Sequence, residues 1–292
     1  MIVEDVRNLK TASPDELGQL VAHTAQLLER SVGLAAGGAK LSFLARRLEA
    51  EVGTRGVTPL RELLRRADLG EHKALLALRN LVTVNYSSFW RESAHWAILA
   101  EHLRLKFLAG KPVRLWSAAC ASGEEAYSMA MVASDVAQML EALPTDWRIL
   151  ASDIDTDALA DAAAGRYTAA ALGKLPELQR TRYLTALRDN GRTQWQVNAA
   201  LGAHLDFIRF DLAQPNWPVP PGAPFDVIFL SNVLIYFDKP VQARILENAA
   251  NCLRSDGILL TSRSEGQLSL ATEWLKPCGD CAYIPLATQR RT

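Results

Sequence analysis

The stretch "LWSAACASGEEAYSMAM", residues 115–131, concentrates chemically useful side chains in one turn. It begins like a buried strand and ends like a helix. Between the two lie small residues, a single glycine (Gly123) and two adjacent carboxylates, Glu124 and Glu125. Small side chains let a ligand approach the backbone closely, and carboxylates select for positive charge. Other strand-like runs also end on polar groups. "WRILASDID" closes on Asp153 and Asp155, "LDFIRFDL" on Asp211 and Leu212, and "FDVIFLSNVLIY" on Ser231 and Asn232, with Tyr236 nearby.

An acidic residue closing a second strand suits a ribose, because one carboxylate can accept from both vicinal hydroxyls. A pyrophosphate fits badly. The first turn lacks G-x-G-x-x-G, and Glu124 and Glu125 would repel a phosphate seeking the helix N–H groups. The pattern favours a nucleoside with a cation where a phosphate would otherwise stand. S-adenosylmethionine has that make-up: ribose, adenine, a sulfonium and an ammonium group. The alternative reading of the two glutamates is simple compensation of a helix N-terminus. Asp155 reads as the cap of a helix beginning near Thr156.

These residues need a scaffold. After Lys111 the runs "VRLWSAA", "WRILASD", "LDFIRF", "FDVIFLS" and "GILLTS" are short and almost continuously apolar, as buried parallel strands are. Helical stretches at 123–140, 156–164 and 239–253 separate most of them. That alternation predicts an α/β fold with a Rossmann-like doubly wound sheet, whose ligands bind beyond the carboxyl ends of the strands. Residues 166–204 break the pattern with a helix-like piece and a strand-like "TQWQV" beside Asp189-Asn190-Gly191, and are read as a small β insertion.

The first hundred residues read as helices. "SPDELGQLVAHTAQLLERSVG" opens on a capping box, with Ser13 as N-cap, Pro14 at N1 and Glu16 at N3. "KLSFLARRLEAEV", "TPLRELLRRADL" (Thr58 as cap, Pro59 first), "EHKALLALRNLV" and "FWRESAHWAILAEHLRLKFLAG" follow, the last with Gly110 as its stop. The predicted division is an N-terminal helical domain over 1–95 and a catalytic domain over 96–292.

The 292 residues carry 32 basic and 32 acidic side chains, so recognition by charge must be local and no global field draws the chain to nucleic acid. No apolar run approaches the ~20 residues that span a bilayer. The N-terminal residues show no signal-peptide core, so a cytoplasmic location is expected. Cys120 and Cys252 lie in apolar segments and are read as core residues. Cys278 and Cys281 form one C-x-x-C, which without two further ligands reads as a turn rather than a metal site.

The segments "LWSAACASGEEAYSMAM", "ILASDIDTDALADAAAGRY", "FDVIFLSNVLIYFDKPVQARIL" and "LVTVNYSSFWRES" resemble, in the same order, the CheR-type protein-glutamate O-methyltransferases that act on chemotaxis receptors. The similarity runs from about residue 16 to about 285. It implies that S-adenosyl-L-methionine is the cofactor and S-adenosyl-L-homocysteine the product, with no metal. Asn85, Ser87 and Arg91 would bind the methionyl end, Arg91 pairing its carboxylate. Glu125 with Glu124 would hold the ammonium group beside Gly123. Asp153 would take the ribose, Asp211 and Leu212 would frame the adenine, and Ser231 and Asn232 would line the floor. Tyr236 would stand near the transferred methyl and, with Arg91, serve catalysis.

The partner implied is the cytoplasmic helical bundle of a methyl-accepting receptor, and the enzyme would work as a monomer. A basic patch including Arg46, Arg47, Arg55 and Arg61 would dock those acidic helices; alternatively it is a solvated, salt-bridged helix face. Three positions depart from the family pattern. Ser231 stands where Arg is usual, Arg263 where His is usual, and the insertion has one glycine in place of a glycine-rich loop. Two further functions stay open: a non-catalytic cofactor-binding signalling module, and a methyltransferase with another protein or small acid as acceptor.

Overall fold

A computed structural model of the chain describes residues 13–32, 39–71, 73–75, 77–78, 87–140, 146–189, 192–265 and 273–286. The chain separates into two compact units, one of residues 1–84 with 236–241, the other of 85–235 with 242–292. The segment 87–95, expected in the helical domain, therefore goes with the sheet. No helix among the described residues is long and apolar enough to cross a membrane.

The first unit is built on α1 (Pro14–Val32), α2 (Ala39–Arg55) and α3 (Val57–Asp68). The α1 stripe Leu20, Val21, Leu27 and Leu28 is buried, as are Leu44, Leu48 and Val52 of α2 and Leu60 and Leu64 of α3. Glu16 donates its backbone N–H to Ser13 Oγ at 3.2 Å, the capping interaction expected from the sequence. Helix α3 departs from expectation: it begins at Val57, with Gly56 at φ 84° as its cap residue and no side-chain cap, so Thr58 lies inside the first turn. Glycine alone enters that left-handed region without cost, and it sets the start of the helix. Of the expected helix at 71–82, the described residues 73–75 and 77–78 are helical, and 72, 76 and 79–82 lie outside the described residues.

The second unit holds a seven-stranded sheet in the order β6-β2-β1-β7-β8-β10-β9. Its strands are β1 (Val113–Ser117), β2 (Trp147–Asp153), β6 (Leu205–Arg209), β7 (Phe225–Leu230), β8 (Leu253–Thr261), β9 (Leu275–Gly279) and β10 (Ala282–Pro285). The first five in spatial order run parallel and β10 pairs antiparallel to β8. All six residues of β7 are buried, which explains its nearly continuous apolar run; the one charged member, Asp226, is paired with Lys106 at 3.0 Å. Helices α4 (Ser93–Leu108), α5 (Glu124–Met139), α6 (Thr156–Ala164) and α9 (Lys239–Cys252) supply most of the connections. α5 packs against α4 and contributes Ala126, Met129, Ala130 and Ala133, all fully buried.

Residues 166–204 form a separate three-stranded sheet, β3-β5-β4, from β3 (Arg166–Thr168), β4 (Leu184–Asp189) and β5 (Arg192–Val197), with α7 (Glu177–Tyr183) and the short α8 (Ala199–Gly202). The connecting pair Asn190-Gly191 lies outside the described residues. Asp135 on α5 ties this insertion down by accepting from Tyr183 Oη at 2.6 Å and from Arg182 at 2.6 Å.

Candidate active site

The parallel order places β2, β1, β7 and β8 side by side, so the polar residues at their carboxyl ends converge. At the end of β1 the chain turns through Ala121 (φ 46°) and Gly123 (φ 95°) into α5. A Cβ on Gly123 would lie 2.8 Å from Ala162 Cβ and 3.0 Å from Tyr167 Oη, so glycine is required by space as well as by backbone angle. Tyr167 of β3 donates to the Ser122 carbonyl at 2.7 Å, and burial raises its pKa, so it remains a donor at working pH. Sequence reasoning missed this support, because Tyr167 belongs to the inserted sheet.

The two glutamates separate in role. Glu124 is buried and accepts from Ser122 Oγ at 2.8 Å. Glu125 accepts from Ser117 Oγ at 2.6 Å. Burial pushes its pKa up to about 7; the Ser117 bond, Arg91 and Ser231 oppose that rise, and the nearby Glu265 carboxylate adds to it. The Ser231 hydroxyl is itself buried with no well-formed hydrogen bond. Glu125 therefore sits in a pocket that lacks full compensation for its charge, and a cationic group is the ligand chemistry that would supply it.

Asp153 closes β2. One of its oxygens accepts from Ala121 N at 2.8 Å and the other from Asp155 N at 3.0 Å. Burial raises its pKa, and the backbone N–H bonds of Asp155, Ala121 and Ile154 oppose that shift. Asp155 caps α6, accepting from Asp157 N and Ala158 N, as its sequence position predicted. Cys120 is buried against this turn, and burial, with the Asp153 and Glu125 charges, raises its thiol well above the usual value; it is a core residue and not a nucleophile.

After β6, Asp211 accepts from Ala213 N at 2.9 Å, and the Leu212 carbonyl accepts from Trp217 Nε1 at 3.0 Å, which fixes the chain where an adenine was expected. After β7, Asn232 takes a left-handed φ of 61°. Its N–H and Nδ2 donate to Ser262 Oγ at 3.3 and 2.8 Å. Tyr236 ends the 3-10 turn Leu234–Tyr236 and is half-buried.

The segment before α4 completes the group. Trp90 N donates to Ser128 Oγ at 3.2 Å, and Phe89 meets Tyr167 edge-on at 4.8 Å. Arg91 lies between Trp90 (φ 55°) and Glu92 (φ 43°). Ser87 is half-buried in the same segment, and Asn85 lies outside the described residues. Of the five non-glycine residues with positive φ among the described residues, Trp90, Glu92, Ala121 and Asn232 all flank these site residues. Strain of this kind costs about 1–3 kcal/mol per residue and collects where function needs it.

The candidate docking arginines are engaged within their own unit. Arg55 pairs with Glu51 at 3.0 Å, Arg61 with Glu16 at 2.5 Å, Arg65 with Glu62 at 2.7 Å, and Arg66 with Glu71. Arg46 and Arg47 are exposed. Arg263, at the end of β8, is exposed and paired with Asp280 at 2.5 Å. Cys278 and Cys281 are free thiols at the β9–β10 turn.

Residues 85–283 match the family described as CheR methyltransferase, SAM binding domain. The chain is 34% identical over 243 residues to the chemotaxis protein methyltransferase of Escherichia coli (strain K12), covering 82% of each. It is 33% identical over 252 residues to that of Salmonella typhimurium, covering 85% of this chain and 84% of the other. With the protein of the same name from Klebsiella aerogenes it shares 35% over 243 residues, 82% of this chain and 80% of that one.

Proposed function

The chain belongs to the CheR methyltransferase family, and we propose that it carries a methyl group from S-adenosylmethionine to glutamate side chains on the cytoplasmic helices of a chemoreceptor. It is an S-adenosylmethionine-dependent methyltransferase. The finer roles rest on the site. The observation that carries them is Glu125, a desolvated carboxylate just past the end of β1 whose charge its neighbours only partly offset.

The residues present fit the cofactor. Glu125 would hold its ammonium group, Arg91 its carboxylate and Asp153 its ribose hydroxyls, while Asp211 and Leu212 would frame the base. Gly123, with no room for a side chain, would let the turn pack closely against Ala162 and Tyr167 and so hold Glu124 and Glu125 in place. When bound, the cofactor supplies an electrophilic methyl group on a positively charged sulfur. The protein's task is alignment and exclusion of water. An exposed glutamate, with a reference pKa of about 4.3, reaches the site ionised, so no general base is needed. Tyr236 would orient that carboxylate through one hydrogen bond. Arg46 and Arg47 would steer acidic receptor helices toward the enzyme, which we take to act as a monomer in the cytoplasm.

The test pairs calorimetry with S-adenosylmethionine and S-adenosylhomocysteine against transfer of radiolabelled methyl to receptor-containing membranes. Tight binding with alkali-labile label on the receptor supports the assignment. Binding without transfer would leave a signalling module, and transfer only to other acids would change the acceptor.

A further inference from the structure

Glu265 was not among the residues singled out from the sequence, yet it organises the wall between β7 and β8. It lies in the 3-10 turn Arg263–Glu265 after β8, and comes next to the end of β7 because the two strands are parallel neighbours, Leu230 opposite Thr261. Its Oε1 accepts from the backbone N–H of Val233 at 2.9 Å and of Leu234 at 3.1 Å. Its Oε2 accepts from Ser262 N at 2.7 Å and Ser262 Oγ at 3.0 Å. Ser262 Oγ in turn takes the N–H and Nδ2 of Asn232.

Three consecutive amides, 232 to 234, are thus held by two side chains from the neighbouring strand end. No helix or sheet bond does this work, because β7 ends at Leu230 and the 3-10 turn begins only at Leu234. Buried N–H groups must find acceptors, and a left-handed Asn232 persists only where its surroundings over-determine it. Each oxygen of Glu265 accepts two donors, which fills all four of its acceptor positions. A saturated carboxylate has nothing left to offer as base or ligand. Through Val233, Leu234 and Ser262 it acts instead on the turn that carries Asn232.

We propose that Glu265, acting with Ser262, is a positioning residue that holds the turn after β7 in the conformation that sets Ser231, Asn232 and Tyr236 for methyl transfer, an inference that rests on the reaction proposed above. Aspartate at this position would be one methylene too short to reach both sets of donors. Glutamine would keep the bonds to Val233 and Leu234 but present an N–H₂ to Ser262, where an acceptor is needed.

Amide hydrogen exchange over residues 231–236 reads the clamp directly, and steady-state kinetics read its purpose. In Glu265→Ala the amides of Val233 and Leu234 should exchange about tenfold faster or more, while β1 and β2 keep their protection. Ser262→Ala should release Asn232 alone. For Glu265→Gln, which keeps the side-chain shape without the charge should the alanine variant fail to fold, kcat at saturating receptor and S-adenosylmethionine should fall about tenfold, a larger loss than any in cofactor affinity. Unchanged exchange in Glu265→Ala, or unchanged kcat in folded Glu265→Gln, overturns the inference. So does a parallel loss of kcat, cofactor affinity and melting temperature, which is the mark of a purely structural residue. Wild-type protein that methylates no receptor would refute the reaction, while the exchange rates would still decide the clamp.

Discussion

Cofactor binding should be controlled by one proton on Glu125. Its pKa stands at about 7 in the unliganded protein, raised chiefly by burial. An ammonium group placed against it would pull the pKa down, so binding must expel the proton wherever Glu125 is still protonated. With a pKa of about 7, roughly a tenth of the molecules carry the charged form at pH 6 and about half at pH 7, so affinity should rise about fivefold across that unit. At pH 7 binding should release about half a proton, read as the dependence of calorimetric enthalpy on buffer ionisation heat. Affinity should turn down again above about pH 8, where an α-amino group with reference pKa ~7.7–8.0 loses its own charge. Glu125→Gln should abolish the rise between pH 6 and 7 and weaken binding at pH 7 by about tenfold or more, the worth of a charged hydrogen bond. The fold should respond with the opposite sign. A carboxylate whose folded pKa is raised favours the folded state below its unfolded pKa and loses that contribution as pH rises through about 7. Unliganded Glu125→Gln should therefore melt higher than wild type at pH 8 and alongside it near pH 4.5. A pH-independent wild-type affinity between 6 and 7, or a Gln variant that binds like wild type, would refute the reasoning.

Asp153→Ala should weaken S-adenosylmethionine and adenosine alike, by about tenfold or more at 1.5–3 kcal/mol per charged hydrogen bond, as measured by calorimetry. Arg91→Ala should weaken the full cofactor and leave adenosine, which has no carboxylate, unaffected; equal losses for both would mean Arg91 acts through folding. Gly123→Ala forces a side chain onto a φ of 95° and against Ala162, so melting should fall by the equivalent of about 1–3 kcal/mol for the backbone alone, with cofactor binding lost. The pair Arg46→Glu and Arg47→Glu should raise KM for receptor membranes and flatten its rise with salt, while cofactor affinity stays within about twofold; equal methylation at low salt would leave those arginines as a solvated helix face.

What the sequence made legible follows the reach of its signals. Buried parallel strands announce themselves as short, nearly continuous apolar runs, and the rule that ligands bind beyond their carboxyl ends points from five such runs to a set of residues. Gly123, Glu124, Glu125, Asp153, Asp211, Ser231 and Asn232 all stand at strand ends as that rule requires. Local capping was equally readable: Ser13 and Asp155 each bind amides within three residues of themselves. The start of α3 was misjudged because Thr58-Pro59 is a strong cap signal, whereas the real cap residue is Gly56, whose positive φ leaves no trace in periodicity.

The features that escaped are the ones made by side chains meeting across elements. Glu16 pairs with Arg61 across 45 residues, so an arginine counted toward a basic patch is already engaged inside its own helical unit. Tyr167 reaches the turn after β1 from a sheet whose strands give only weak alternation, and its 45-residue separation from Ser122 hides the contact. Glu265 is the most telling case. "TSRSEG" is itself a strand end, and applying the strand-end rule to β8 as fully as to β1 and β2 would have put Glu265 on the list. Its function could not have followed, since a lone glutamate after a strand carries no sign of which amides it will accept. That depends on β8 lying beside β7, and sheet order is set by all the connections together rather than by any one stretch. The polar residues at strand ends are therefore readable from type and position, whereas those that hold them in place become visible only with the strand order.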